Sequence, residues 1–200
     1  MSAEPGTVRP GGRTARVRAA VLRATGDVLA EHGFHGLDLA DVARRAEVGR
    51  TTVYRRWGSV TGLVTDLLAE MAEESSPREE TGTALGDLRA NATLVRRTLS
   101  DPRQGPLFRA VIAAAACDDR TAAALRRFYE ARVAEWAPCV EQAVARGEFP
   151  AGTDARAVVR AVSAPLYYGL LTTGTAPDAP AADRAAHAAH AAAAAGVFVA

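Results

Sequence analysis

The 200-residue sequence contains no lysine and only two cysteines. Cys117 and Cys139 have no partners at metal-ligand spacing, so we expect reduced thiols and no bound metal or cofactor. The N-terminus lacks the apolar core of a signal peptide, and no run approaches the ~18 apolar residues of a membrane span. These absences predict a soluble, cytoplasmic protein that makes no contact with a membrane.

Signatures of catalysis are also missing. The sequence has no GxSxG nucleophile elbow, no phosphate-binding glycine loop and no HExxH metal pair. His32 and His35 span a predicted helix end, and His187 and His190 share a helix face, but neither pair has a third ligand nearby. We therefore expect no catalytic residues, and the protein is predicted not to be an enzyme.

The net charge of +1 hides an asymmetry between the two ends of the chain. Residues 1–65 hold ten arginines against six acidic residues, a net charge of +4, which leaves −3 for residues 66–200. A basic N-terminal segment on a slightly acidic body indicates a nucleic-acid partner for that segment alone.

The segment 34–63 has the pattern of two short helices joined by a tight turn. Asp38 is placed to cap the first helix, and apolar residues then recur at helical spacing up to Ala46. Glu47 occupies the turn, where a left-handed conformation costs a non-glycine residue about 1 kcal/mol, and Val48 is expected to be buried. The segment predicts a helix-turn-helix.

The second of these helices, residues 50–57, has two different faces. Val53 and Trp57 lie four residues apart on one face, which is expected to be buried. The other face is basic and rich in hydroxyl groups, which suits contact with phosphates and base edges. It carries Arg50, Thr51, Thr52, Tyr54, Arg55 and Arg56.

These residues resemble the tetracycline-repressor (TetR) family of bacterial transcription regulators. The resemblance rests on Gly33-Phe34, on the run from Asp41 to Ala46, and on Thr52-Val53-Tyr54 leading to Trp57. It departs from the family pattern at Glu47, Gly49 and Val60. A softer resemblance to the family's C-terminal domains covers RGE at 146–148 and PLYY at 165–168. The family implies a homodimer that binds double-stranded operator DNA and responds to a small-molecule inducer.

The rest of the chain predicts an all-α protein of about nine helices, because no segment alternates with period two. Residues 1–12 are expected to form a flexible arm, 13–58 the three-helix DNA-binding domain, and 59–200 a helical regulatory and dimerisation domain. Arg13, Arg16 and Arg18 crowd the start of the first helix. We expect Arg13 and Arg16 to contact DNA phosphates, although solvated arginines are an equal alternative.

Aromatic residues are scarce in the body, and the family resemblance implies that they surround an inducer cavity. The candidates for ligand binding are Phe108, Phe128, Trp136, Tyr167 and Tyr168. Plain core packing is the alternative for each ring, and it is the interpretation we favour for Phe128. Trp136 suits a pocket wall because its large ring carries one N–H donor.

The last two helices are expected to form the interface between two subunits, as the resemblance also implies. The final helix is nearly all alanine and buries little area alone, which favours close approach to another helix. The interface candidates are Val162, Leu166, Leu170, Ala185 and Ala192.

The predicted function is therefore a dimeric, ligand-responsive repressor of a near-palindromic operator. Two alternatives stay open: a small helical enzyme or carrier that uses the body cavity, and a DNA binder without an inducer.

Overall fold

A computed structural model describes residues 12–73 and 80–199. Within them the chain forms nine α-helices and one short 3-10 turn at Phe34–Gly36, as the all-α prediction requires. The only β-type pairing in these two ranges is an isolated bridge between Thr153 and Val199. The helices are α1 Arg13–His32, α2 Leu39–Arg45, α3 Arg50–Trp57, α4 Val60–Glu73, α5 Ala84–Ser100, α6 Gln104–Ala115, α7 Asp119–Ala145, α8 Ala155–Thr173 and α9 Ala179–Ala194.

Side-chain caps fix where several helices begin, because they accept hydrogen bonds from the otherwise unpaired N–H groups of the first turn. The Asp38 carboxylate accepts from the N–H groups of Ala40 and Asp41, at 3.0 and 3.1 Å. Asp154 caps α8 in the same way. The predicted cap residue of α2 is therefore confirmed.

The helices share one continuous hydrophobic core. Helix α1 packs on α2, α4 and α6, and α4 packs along α7, so that the N-terminal helices lie directly on the body. Helix α5 packs against both α8 and α9. The predicted flexible arm, residues 1–12, lies outside the described residues except for Gly12.

The final helix is shorter than the sequence predicts. A helix from Ala181 to Val199 was expected, but α9 ends at Ala194 and Gly196 turns the chain with a φ of +77°. The tail then folds back, and the Asp154 N–H donates to the Phe198 carbonyl at 2.8 Å. The tail is thus tied to the start of α8.

The predicted subunit interface requires a correction. The larger α8 residues Val162, Leu166 and Leu170 are at most 2% exposed, and Ala185 of α9 is also buried within this one chain. They form the contact of α8 and α9 with the rest of the same subunit, so they are not available to a second copy. Ala192 is half-buried. The outer face of α8 instead exposes Tyr168 and Leu171.

Candidate functional site

The helix-turn-helix forms over the predicted residues. Helices α2 and α3 are joined by residues 46–49, and Glu47 there adopts a φ of +54°, so the left-handed turn residue is confirmed. Val48 is half-buried rather than fully buried, and it packs against the core. The turn therefore depends on a strained glutamate at the position where glycine would be relaxed.

Helix α3 presents one anchored and one open face. Val53 is fully buried and Trp57 is 8% exposed, so the inner face is fixed against the core. The other predicted residues point away from it: Thr52 is half-buried, and the exposed ones are Arg50, Thr51, Tyr54, Arg55 and Arg56. No side chain caps the N-terminus of α3, which begins after Gly49. The helix thus offers free N–H donors and cations on one surface.

A hydrogen-bonded ion cluster holds the C-terminal end of α3. Asp66 of α4 accepts from Trp57 Nε1 at 2.9 Å and from Arg18 Nη2 of α1 at 2.8 Å. Arg18 also pairs with Glu70 at 3.2 Å. Burial raises the pKa of Asp66, but the Arg18 and Trp57 hydrogen bonds outweigh it and hold that pKa below its ordinary value. One carboxylate therefore joins α1, α3 and α4.

The arginines near the N-terminus divide into two groups. Arg13 and Arg16 are exposed, and no carboxylate of the described residues lies within ion-pair distance of either. Arg18, which stands in the same cluster in the sequence, is committed to Asp66 and Glu70. Only the first two arginines of that cluster are free to contact a phosphate.

A cavity of about 810 Å³, partly open to solvent, lies between the helices of the body and the DNA-binding half. Ala19 and Leu22 of α1 and Leu67 and Met71 of α4 contribute to its wall, beside residues of α5, α6, α7 and α8. This volume lies within the range of small-molecule pockets, roughly 300–1,000 Å³.

Four of the five predicted aromatic residues line this cavity, namely Phe108, Phe128, Trp136 and Tyr167. They are also well buried, so cavity lining and core packing are not exclusive for these rings. Tyr168 is different, since it is 70% exposed and lies outside the cavity. Its assignment to the ligand site is wrong because adjacent residues on a helix point about 100° apart.

Sequence analysis missed the polar groups of the cavity. Asn91 of α5, Tyr129 and Arg132 of α7, and Ser163 of α8 all line it. The Asn91 Oδ1 atom is buried without a hydrogen-bond partner, and so is Arg132 Nε. Asn91 stands among the apolar positions of α5, and a polar residue at a core position was the available signal.

The aromatic residues of the cavity contact one another, edge-on in the Tyr129–Tyr167 pair and tilted by 47° in the Phe108–Phe128 pair. The Tyr129 and Tyr167 rings lie 5.3 Å apart at 86°, and Phe108 lies 5.5 Å from Phe128. Burial raises the pKa of Tyr167 to about 12, and it raises the pKa of Tyr129 as well. Both phenols are therefore protonated at neutral pH and supply neutral hydrogen-bonding groups.

The described residues contain no group of three or more histidine, cysteine or acidic side chains that could hold a metal ion. In the same ranges, no helix has the length and apolar character needed to cross a membrane.

Two sequence profiles of known families match the chain. The profile for bacterial regulatory proteins of the tetR family matches residues 21–67, and the one for the tetracyclin repressor-like C-terminal domain matches residues 78–189. Together they include the helix-turn-helix and most of the cavity wall.

Individual proteins give the same result. The HTH-type transcriptional regulator AqdR of Rhodococcus erythropolis is 31% identical over 163 residues, which are 82% of this chain and 78% of AqdR. The uncharacterised HTH-type regulator YdeS of Bacillus subtilis is 29% identical over 156 residues, 78% of each protein. Salmonella enterica GusR has a similar fold, with a TM-score of 0.70, 22% identity, and 93% of this chain and 97% of GusR covered. Because one profile covers more than half of the chain and AqdR is 31% identical over 82% of it, the chain belongs to the TetR family of bacterial transcriptional regulators, whose members are not enzymes.

Proposed function

We propose that the protein is a homodimeric repressor that a small molecule releases from a near-palindromic operator. The observation that carries this proposal is the connection between two sites. Helices α1 and α4 hold the recognition helix α3 through Asp66, and the same two helices form part of the cavity wall. A ligand that favours one position of α4 would thereby bias the position of α3.

We propose that α3 of each subunit lies in a major groove. Arg50 and Thr52 contact base edges, since arginine reads guanine and the threonine methyl group meets the thymine methyl group. Thr51, Tyr54 and Arg55 contact phosphates, and the free N–H groups at the start of α3 add to these contacts. Arg56, whose guanidinium stacks 5.0 Å from the Trp57 ring, joins Arg13 and Arg16 in holding the DNA backbone.

The test is selection of bound DNA from a random pool, followed by affinity measurements on the selected site. Arg50→Ala should weaken binding by roughly 1–3 kcal/mol and relax the preference at one base position. Arg56→Ala should weaken binding to all sequences alike and reduce the salt dependence. Arg126→Ala, which removes an exposed arginine of the body, is the matched control and should change nothing. Unaltered operator affinity of Arg50→Ala would remove Arg50 from the base contacts.

We propose that the outer face of α8 and α9 forms the dimer interface. Tyr168 is 70% exposed and Leu171 is 46% exposed on α8, and α9, which packs against α8, has exposed alanines at Ala188 and Ala191. Two exposed large apolar residues on one helix and exposed alanines on the next fit a two-fold contact in which the same patch meets itself.

The dimer should persist at micromolar concentration with or without DNA. Leu171→Arg places a charge in the proposed interface, and it should give monomers that lose tight operator binding, because two half-sites then no longer bind together. Arg126→Ala again serves as the control. Sedimentation of the wild-type protein as a monomer would contradict the palindromic operator, while a dimeric Leu171→Arg variant would place the interface elsewhere.

The cavity distinguishes the proposed repressor from its alternatives. A space of about 810 Å³ gives a ligand a place to bind, which disfavours a DNA binder without an inducer. Trp136 lines that space, so a Trp57→Phe variant retains one tryptophan as its reporter. Its emission should change when a ligand that releases DNA from the wild-type protein is added; release is measured on wild type because Trp57→Phe removes the hydrogen bond to Asp66. Release of DNA with unchanged emission would place the inducer site away from Trp136.

A further inference from the structure

The polar groups of the cavity carry information about the ligand, because buried polar atoms without partners are costly. Asn91 is 5% exposed and lines the cavity, and its Oδ1 atom accepts no hydrogen bond within the described residues. Arg132 of α7 also lines the cavity, and its Nε donor is likewise buried and without an acceptor. Beside the phenols of Tyr129 and Tyr167, the residues of the cavity wall therefore include one buried acceptor and one buried donor without partners.

Arg132 does not leave a net charge in the cavity. Its Nη1 atom lies 3.1 Å from the Glu135 carboxylate, and its Nη2 atom donates to the Ala72 carbonyl at the end of α4. Glu70, the acidic residue that α4 contributes to the wall, pairs with Arg18. An ionised ligand would lose its hydration in this part of the cavity without meeting an unbalanced opposite charge.

The cavity is also lined by five aromatic residues, beside aliphatic and charged side chains such as Leu94 and Arg97. Phe108, Phe128, Tyr129, Trp136 and Tyr167 all line it. Rings of this kind favour a flat apolar molecule, because they cover its faces and edges with a large contact area.

We infer that the cavity takes an uncharged, flat aromatic molecule that carries both an N–H or O–H donor and a carbonyl-type acceptor. Asn91 accepts from the donor, and Arg132 Nε donates to the acceptor. This inference rests on the proposed function, since it names the class of ligand for the proposed inducer site. Because Arg132 also holds the last turn of α4, such a ligand engages a side chain that already contacts the helix bearing Asp66.

The inference can be tested with three probes that share one ring system: naphthalene, 2-naphthamide and 2-naphthoate. Only the amide is neutral and carries both a donor and an acceptor. Each probe is titrated into the Trp57→Phe protein while the emission of Trp136 is followed. We expect 2-naphthamide to bind at least about tenfold more tightly than either of the other two, the ratio that one buried hydrogen bond supplies.

The key variant is Asn91→Leu, which removes the Oδ1 acceptor and keeps a similar volume. It should fold at least as well as wild type, because it removes a buried polar atom without a partner. We expect the preference for the amide over naphthalene to fall about tenfold in this variant. Ser100→Ala, outside the cavity, is the matched control and should keep the wild-type preference. Asn91→Ser gives a second variant if the leucine substitution prevents folding, with the same expected loss of preference.

The outcomes separate the ligand class from the proposed repressor function. Equal affinity for naphthalene and its amide, tighter binding of the carboxylate, an unaltered preference in Asn91→Leu, or no binding of any probe would each overturn the ligand class. Selective amide binding that leaves the operator affinity of the wild-type protein unchanged would support the ligand class and count against its role as inducer. Operator release that accompanies selective amide binding would support both.

Discussion

The cluster around Asp66 makes a quantitative prediction about the link between the recognition helix and the body. Asp66→Ala removes the acceptor of the Trp57 Nε1–H bond and of the Arg18 guanidinium, which donates from Nε and Nη2 at 3.1 and 2.8 Å. Arg18 keeps its pairing with Glu70, so no charge is left isolated. The substitution should therefore destabilise the protein without preventing it from folding.

The magnitude follows from the burial of the pair. The side chains of Arg18 and Asp66 are only 24% and 28% exposed, so solvent screens them less than a surface pair. A hydrogen bond to a charged group contributes about 1.5–3 kcal/mol and a neutral one about 1 kcal/mol. Allowing for the remaining exposure, we expect a loss of about 2–3 kcal/mol. Asp183→Ala breaks the half-exposed pair with Arg89 and should cost about 0–1 kcal/mol.

Urea unfolding followed by far-UV circular dichroism measures both variants. The difference in unfolding free energy between wild type and Asp66→Ala should also depend on pH. The lowered pKa of Asp66 fixes the sign of that dependence. A depressed carboxyl pKa stabilises the fold above the unfolded-state pKa, near 3.9, and that stability is lost as pH falls through the folded pKa. The gap between wild type and Asp66→Ala should therefore narrow as pH falls below about 4. Equal stability of wild type and Asp66→Ala near neutral pH would refute the reasoning. So would a stability difference between them that does not change in acid.

Three further substitutions test local features by the same unfolding measurement. Glu47→Gly should stabilise the protein by about 0.5–1 kcal/mol, since it relieves the residue at φ +54°; a loss of stability would contradict this. Asp38→Ala removes the α2 cap and should cost about 1 kcal/mol. An unchanged urea unfolding midpoint would show that the cap does not contribute to stability. Glu148→Ala leaves the Ala84 N–H without its acceptor and should cost about 1 kcal/mol, with Glu141→Ala as an exposed control that costs nothing.

Local chemistry in the sequence was sufficient to predict the helices and the helix-turn-helix. Gly33 and Asp38 mark helix ends through conformations and caps that depend on a few neighbouring residues. The left-handed Glu47 was predictable for the same reason. What the sequence did not reveal depends on residues far apart in the chain: Arg18 and Asp66 are 48 positions apart, and nothing local pairs them.

The choice between two apolar faces of one helix was the main error. Helix α8 has Val162 and Leu166 on one face and Tyr168 and Leu171 on another, and either face could in principle meet a second subunit. The larger inner residues are buried against the rest of the chain. Periodicity identifies an apolar face but not the surface that covers it, so the partner of such a face requires the three-dimensional structure.

The sharing of the cavity wall between both halves of the chain has a consequence for engineered biosensors. A hybrid regulator joins the DNA-binding domain of one protein to the C-terminal body of another, and its design assumes that each part keeps its own binding specificity. Here α1 supplies Ala19 and Leu22 to the cavity wall, and α4 supplies Leu67 and Met71. A hybrid cut at residue 58 would exchange α1 while keeping α4, so its cavity wall would come from both parents. Hybrids that carry this DNA-binding domain therefore need the contacts of α1 and α4 at the cavity redesigned together with the body.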